Sequence, residues 1–519
     1  MSETTKQFKK QLPKNAVMSI LSFVTYSLSA LWLTPYLFRH LGAAAYGLVP
    51  LAGLFTQYVA IITTQLSGAI NRFLSLEINK PGGQPNVVFN SALALYLILI
   101  VVQLPLFTVG LFYVDRIFSI PQELMVDALL LLGCSAGGFL LSMLGGVFGV
   151  AQFAGNRIDI SSSINLGRLI ARLVLIIGCF SFLGPQLRYI GFIDLGLQAA
   201  MVLVSVGVSR RLFPELSVNL RLIDWRLLGP VFHMSFWTLF NNLGSLLYLR
   251  TDIWIINRFI SPVAAGQYAA VLVVSNFIRQ LAGQGNSQLA PVIMQYWARN
   301  ELEALQRLLR FSMKLFALGL AIPISLLCIH GNWVLKLWLG DTFEGFAPLL
   351  TVMVVHLIFN VAVLPLFSLQ TASNSVRWPA VITFIMGTLN VVISYLLGVQ
   401  FGMGMMGVAL SSAVVLTLKN AVFTPLYGAA VLGCSKMEFV RPLLAGVLLT
   451  GLLYVLFYVP QWLGWSAPVP ADWMRVLCQS TVLVLFSIAV SWFLLLLPDE
   501  RSAARNMVKL LIRRFLPNA

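Results

Sequence analysis

Charge is scarce in this chain. Only 10% of its 519 residues are Asp, Glu, Lys or Arg, where soluble domains carry about 25%. Acid is scarcer still, with 18 Asp and Glu against 34 Lys and Arg. Histidine (4) and cysteine (5) are rare as well. Cys134, Cys179, Cys328, Cys434 and Cys478 are scattered, odd in number and free of any C-x-x-C. That pattern argues against a disulfide framework or a zinc site, and ordinary packing is expected of all five. There is no Walker A motif, no H-E-x-x-H and no G-x-S-x-G. Direct use of ATP, zincin chemistry and a nucleophile elbow are thereby excluded. Gly402-Met-Gly404-Met-Met-Gly407 matches G-x-G-x-x-G, but no soluble strand precedes it. A tight turn and close helix packing are expected there instead of a dinucleotide site. The loop acids Asp115, Glu123, Asp127, Asp341, Glu344 and Asp472 lie in short connections and form no paired-carboxylate centre. No metal site and no cofactor are expected, and the reading is of a transporter, not an enzyme.

What the chain has in abundance is apolar sequence, 59% by residue with a mean hydropathy of +0.87. About fourteen apolar stretches approach the ~20 residues that cross a bilayer as a helix. Ala16–Phe38, Leu93–Tyr113 and Val476–Leu497 are examples. In lipid the backbone must satisfy its own hydrogen bonds, so each stretch is a helix. The fold class is an all-α polytopic membrane protein. The formal charge of +16 would suggest nucleic acid in a soluble protein, but no soluble region is large enough for such a domain, and no nucleic-acid partner is expected. Its distribution fits the positive-inside rule. Lys6, Lys9, Lys10 and Lys14, then Arg210, Arg211, Arg221 and Arg226, then Arg501, Arg505, Lys509, Arg513 and Arg514 all fall on one side when spans are counted. Both termini are expected in the cytoplasm. Met1–Lys14 shows no cleavable leader and is expected to lie on the inner leaflet, as is the amphipathic tail Arg501–Leu516.

Three landmarks recur at nearly one offset. Gln152-Phe-Ala-Gly-Asn156 returns as Gln370-Thr-Ala-Ser-Asn374, and Pro105 returns as Pro323, each displaced by about 218 positions; Tyr46 returns as Tyr268, displaced by about 222. Six spans are thus expected in duplicate, both copies oriented alike. The expected organisation is an N-terminal bundle at 1–220, a C-terminal bundle at 221–435, and two further spans with a cytoplasmic tail at 436–519. Arg210–Arg226 is the linker.

Ionisable side chains at membrane depth mark function. Arg168 and Arg172 are four residues apart on one helix face. Arg279 and Lys419 lie in the middle of their spans, and Arg250 adjoins Asp252, with which a pair is expected. Asp194, Asp252 and Glu77 are the acids at depth, candidates for ion coupling. The eighth span carries Asn276, Gln280 and Gln284 beside Arg279, and the seventh carries Asn241; these amides suit sugar hydroxyls. His233 and His356 stand apart and are expected to be hydrogen-bonded packing residues. A surplus of positive charge at depth points to an anionic substrate, and arginine grips phosphate bidentately.

Leu41-Gly42-Ala-Ala-Ala-Tyr46-Gly47-Leu48, Arg250-Thr-Asp252 and Gly266-Gln-Tyr268-Ala269, with Pro291, resemble the signatures of Wzx-type O-antigen and lipid-linked oligosaccharide flippases, of the multidrug/oligosaccharidyl-lipid/polysaccharide exporter superfamily. The resemblance implies a MATE-like pair of six-helix bundles in the bacterial inner membrane. It implies transfer of an undecaprenyl-pyrophosphate-linked glycan, such as an O-antigen unit destined for lipopolysaccharide, from the cytoplasmic to the periplasmic leaflet. It also implies a cationic cavity, mapped by charge and depth to Arg168, Arg172, Arg250, Arg279 and Lys419. The bilayer, the polysaccharide polymerase and the chain-length machinery are the partners it suggests. Alternatives are a peptidoglycan-precursor flippase or a multidrug/cation antiporter of the same fold, and, further off, a membrane glycosyltransferase or polymerase.

Overall fold

A computed structural model describes residues 3–80, 82–154, 157–214, 216–225, 228–462, 472–502 and 505. Among these residues every regular element is helical. The first bundle region holds α1 (Glu3–Leu41), α2 (Ala43–Asn79), α3 (Pro85–Phe112), the short α4 (Val114–Ile117), α5 (Met125–Ala154), α6 (Ile158–Leu183) and α7 (Leu187–Leu212). There follow α8 (Leu228–Leu249), α9 (Thr251–Phe259), α10 (Pro262–Ala298), α11 (Leu302–Ile329) and the short α12 (Gly331–Leu339). The remainder is α13 (Ala347–Val355), α14 (Leu357–Ala362), α15 (Leu364–Ala372), α16 (Arg377–Tyr395), α17 (Gly404–Thr417), α18 (Thr424–Leu432), α19 (Arg441–Trp462) and α20 (Asp472–Val490).

Twelve described stretches are long and apolar enough to cross a membrane. The seventh and eighth places, filled by α8–α9 and α10, bring the total to the expected number of about fourteen. α10 is long enough at 37 residues. Its amides and Arg279 keep it below the apolar threshold, as expected for a helix whose polar face meets protein or water. Glu3–Lys14 continues the helix of the first span without a break, instead of forming a separate interfacial segment. The amphipathic face expected of the tail, the Asn156 landmark and the His233 side chain lie outside the described residues.

Contacts divide the chain into two compact units, one of residues 1–273 and 380–408, the other of 274–379 and 409–519. In the first unit, Leu74, Phe89, Tyr96, Phe107, Leu140 and Val147 form a core between α2, α3 and α5. The described residues after α7 are not loose. Asn90, fully buried, donates to the Ser217 carbonyl at 2.9 Å and accepts from the Asn219 amide at 2.7 Å. Asn86 accepts from the Ser217 amide, and Ser91 from that of Asp224. Asn86 and Asn90 are one helical turn apart, so a single face of α3 fastens the connection.

The signature segments of the two repeats touch. A Cβ on Gly266 would stand 1.8 Å from the Ala43 carbonyl oxygen, and one on Gly47 would stand 2.9 Å from the Gly266 nitrogen. Beside this crossing Tyr46 donates to Thr34 at 3.5 Å and Tyr268 donates to Asp252 at 3.0 Å. Thr34 and Asp252 are again displaced by about 218 positions, so each copy ties its tyrosine to its preceding span. The Gly402–Gly407 motif is a turn: Gly402 and Gly404 have φ of +68° and +61°, and a Cβ on Gly407 would lie 2.6 Å from the Leu397 carbonyl carbon.

In the second unit, Leu305, Leu309, Met313, Ala362, Leu366, Phe439 and Leu443 form a core around α11. Leu449, Leu453, Leu483 and Val490 pack α19 and α20 against the other side of that helix. Lys314 and Glu500 pair at 2.7 Å with little exposure, fastening the segment after α20 to α11. Among the described residues three wide π-helical turns interrupt the spans, at Leu396–Gln400, Leu418–Phe423 and Ser491–Leu495. All five cysteines are free.

Candidate functional site

Each compact unit carries its own share of the polar residues at membrane depth. In the first unit Arg168 and Arg172 project from α6. Arg172 is gripped by Asp194 of α7 through two parallel bonds, Nε to Oδ1 at 2.6 Å and Nη2 to Oδ2 at 3.0 Å. This fork-to-fork geometry neutralises both charges. Arg168 is half-buried and has no ion-pair or hydrogen-bond partner among the described residues. Removing one member of the Arg172–Asp194 pair strands the other. Asp194→Ala is expected to destabilise the detergent-solubilised protein by about 2 kcal/mol, read as a lower thermal unfolding midpoint. Adding Arg172→Ala to it is expected to recover most of that loss.

Arg250 sits at the break between α8 and α9, with φ −130° and ψ −28°. The pair expected with Asp252 is absent. Residues two apart around a helix start do not face each other, and Asp252 turns inward, to 5% exposure. There its carboxylate accepts from Tyr268 Oη at 3.0 Å and from Asn390 Nδ2 at 3.2 Å. The neighbouring Thr251 hydroxyl bonds Tyr58 Oη. A phenol and an amide thus both donate to this buried carboxylate. Asn390 was not among the expected residues. Its only sequence signal is that it is an amide inside the apolar α16, where Ser394, one turn on, is also buried with its hydroxyl unpartnered among the described residues. Glu77 does something plainer. Its Oε2 accepts from the Gln84 amide at 2.9 Å and its Oε1 lies 3.7 Å from Lys80, closing the turn after α2. Asn241 is half-buried on α8, where its carbonyl accepts from Ser245 at 2.9 Å.

In the second unit α10 is fastened to the broken span α13–α14–α15 at three heights. Ser275 donates to the Met353 carbonyl at 3.1 Å, Arg279 Nη2 meets His356 Nε2 at 3.2 Å, and Asn286 donates to Ser368 at 3.2 Å. His356 is buried and hydrogen-bonded through both ring nitrogens, in keeping with the hydrogen-bonded packing expected of it. Its Nδ1 lies 2.8 Å from the Val352 carbonyl, an acceptor only, so that nitrogen carries the proton. Nε2 then accepts from a guanidinium, which only donates. The ring is neutral and aims Arg279. Asn276 is half-buried, and Gln280 and Gln284 are exposed on the same helix; amides exposed at this depth must meet water or protein. Lys419 is 5% exposed, stands in the Leu418–Phe423 wide turn, and holds its ammonium 5.1 Å above the Phe367 ring. Next to it Asn420 donates to Asn360 at 3.1 Å, and the Asn360 amide nitrogen finds no partner among the described residues. Wide turns of this kind often mark functional positions.

No family model matches the chain. It is 29% identical over 507 residues to the uncharacterized membrane protein EpsK of Bacillus subtilis (strain 168), covering 96% of this chain and 97% of that one. Among solved structures it is similar to the lipid II flippase MurJ in an inward closed conformation, with a TM-score of 0.67 and 12% identity over 92% of this chain and 98% of that one. It is also similar to an inward-facing multidrug resistance MATE family transporter of the MOP superfamily, with a TM-score of 0.60 and 13% identity over 80% and 96% of the two chains. At such identities the likeness is one of fold. The chain is a multi-pass membrane protein with the polytopic helical fold of MurJ and the MATE transporters.

Proposed function

We propose that this protein is a Wzx-type flippase. It moves an undecaprenyl-pyrophosphate-linked oligosaccharide from the cytoplasmic to the periplasmic leaflet of a bacterial inner membrane by alternating access, with both termini cytoplasmic. The observation that carries this reading is the number of basic side chains placed within spans: Arg168 and Arg250, which make no ion pair among the described residues, and Arg279 and Lys419, which lie mid-span, where a cation is costly. A pyrophosphate supplies the anion, and guanidinium and ammonium groups replace its lost hydration. The amides of Asn241, Asn276, Gln280 and Gln284 supply partners for sugar hydroxyls. The halves at 1–220 and 221–435 move against each other in the cycle, and the polyprenyl tail stays in lipid. Asp252 is the proposed seat of a coupling proton or cation, held by Tyr268 and Asn390; Asp194, bonded to Arg172, and Glu77, bonded within its turn, are weaker candidates. The polysaccharide polymerase and chain-length machinery are the proposed downstream partners.

A second reading, the peptidoglycan-precursor flippase, is favoured by one observation, the fold shared with MurJ. Reconstitution into liposomes separates the two. Labelled undecaprenyl-pyrophosphate oligosaccharide is expected to become accessible on the far side, and labelled lipid II is expected to lag at least tenfold. Arg279→Ala and Lys419→Ala are each expected to lower the rate at least tenfold with normal membrane insertion. Full activity in both variants would remove the cationic seat from the mechanism.

A further inference from the structure

Three aromatic side chains stack along α1 at four-residue intervals. Trp32 and Tyr36 lie 5.1 Å apart with planes 17° from parallel, and Tyr36 and His40 lie 4.2 Å apart. Phe180 of α6 closes the stack against Tyr36 at 5.9 Å, with planes 22° from parallel. The ladder is not sealed in the core: Trp32 is 48% exposed, and His40 is exposed. Trp32 Nε1 and Tyr36 Oη have no hydrogen-bond partner among the described residues.

Two bland explanations fit poorly. An interfacial aromatic belt occupies one level of the membrane, whereas Trp32 to His40 covers about 12 Å of helix. A lipid-facing stripe would be apolar throughout. Yet Leu21–Leu41 has a hydropathy of 1.2, against 1.4 to 2.4 for the other apolar spans, and Ser22 and Ser29 lie on the ladder's side of the helix.

The register of α1 against α6 gives the ladder its meaning. Ser22 donates to the Ser162 carbonyl at an offset of 140 residues, and His40 lies beside Phe180 at the same offset. The two helices thus run parallel with matched heights. On that register Arg172 stands level with Trp32, and Arg168 lies one turn toward the start of both helices. Arg168, Arg172, Ile176 and Phe180 follow one another at four-residue steps along a single stripe. The ladder therefore begins at the height where the arginines end and continues toward the Leu41 end of α1.

We infer that Trp32, Tyr36 and His40 form a stacking platform for the sugar rings of the substrate. A C–H face of a pyranose lies against the outer face of Trp32, the half-exposed end of the stack, and hydroxyls of this and the neighbouring sugars bond Trp32 Nε1, Tyr36 Oη and His40 Nε2 along the ladder's edge. The inference rests on the flippase reading above and its orientation, in which the glycan leads and the pyrophosphate follows. Stacking also tolerates different sugars, because it reads ring faces and not a hydroxyl pattern.

The test uses purified full-length protein and two probes, undecaprenyl pyrophosphate and the same lipid carrying a tetrasaccharide of N-acetylglucosamine. Wild type is expected to bind the glycosylated lipid at least tenfold more tightly. Trp32→Ala with Tyr36→Ala is expected to abolish that preference while keeping affinity for the sugar-free lipid within twofold. Trp32→Phe with Tyr36→Phe is expected to keep most of it, and Trp32→Ala alone, at a half-exposed position, serves if the double variant does not fold. No sugar preference in wild type, equal weakening for both lipids, or a preference untouched by alanine would overturn the platform. Binding is read apart from transport. A ladder-dependent preference in a protein that moves neither lipid in liposomes would uphold the platform and overturn the flippase reading.

Discussion

Gly266→Ala is expected to lower the stability of the solubilised protein by more than about 3 kcal/mol, beyond the ordinary range for overpacking. Gly196→Ala is expected to leave it unchanged or slightly raised. The difference is one of surroundings. At Gly266 the added carbon would lie 1.8 Å from the Ala43 carbonyl oxygen, whereas at Gly196 it meets nothing within 4 Å. A carbonyl in a helix cannot rotate away without breaking its own hydrogen bond, so α2 or α10 has to shift bodily. That shift would pull on two buried hydrogen bonds, Tyr46 to Thr34 and Tyr268 to Asp252. Thermal unfolding of both variants in one detergent checks the comparison; a Gly266→Ala midpoint within 1 °C of wild type, roughly 1 kcal/mol for a chain of this length, would contradict the packing described.

Arg250→Met is expected to separate stability from function. Methionine keeps a flexible side chain of useful length and removes the charge. Arg250 makes no ion pair among the described residues and stands half-buried at a helix break. Losing a charge that has no counter-ion at membrane depth relieves a desolvation cost of a few kcal/mol, so the unfolding midpoint is expected to hold or rise. Transport of the lipid-linked oligosaccharide is expected to fall at least tenfold. The opposite pattern, a lower midpoint with transport intact, would show that Arg250 serves the fold instead of the substrate. The Arg172–Asp194 pair gives the contrast, since there the charge is already balanced within the unit.

The membrane spans and the polar character of α10 are legible in the sequence because bilayer thickness and hydropathy act on every residue of a span. The Gly402–Gly407 segment is legible too, since left-handed backbone and close approach both favour glycine. Tertiary pairings are less accessible. Asp194 lies 22 positions from Arg172 on another helix, and Asn390 lies 138 from Asp252; nothing local announces either contact. Chain neighbourhood even misleads, as Arg250 and Asp252 are two positions apart in sequence and make no ion pair with each other. The partner of His356 escapes for the same reason: a lone histidine in an apolar run reads as hydrogen-bonded packing, and only the fold shows that Arg279, 77 positions away, is what it bonds.

The wide turn at Leu418–Phe423 holds one residue more than a regular α-turn would. Everything after it, from Thr424 through the end of α18, is rotated by the angle that one residue adds. A strict α-helical wheel drawn through this stretch therefore places Lys419 and Tyr427 in the wrong mutual orientation. It follows that the length of this span is part of its chemistry. Loss of a single codon within the wide turn would let it relax to a regular turn with the residues of α18 near their present places, whereas loss of one elsewhere in the span would swing its later side chains by about 100° away from the partners they now have.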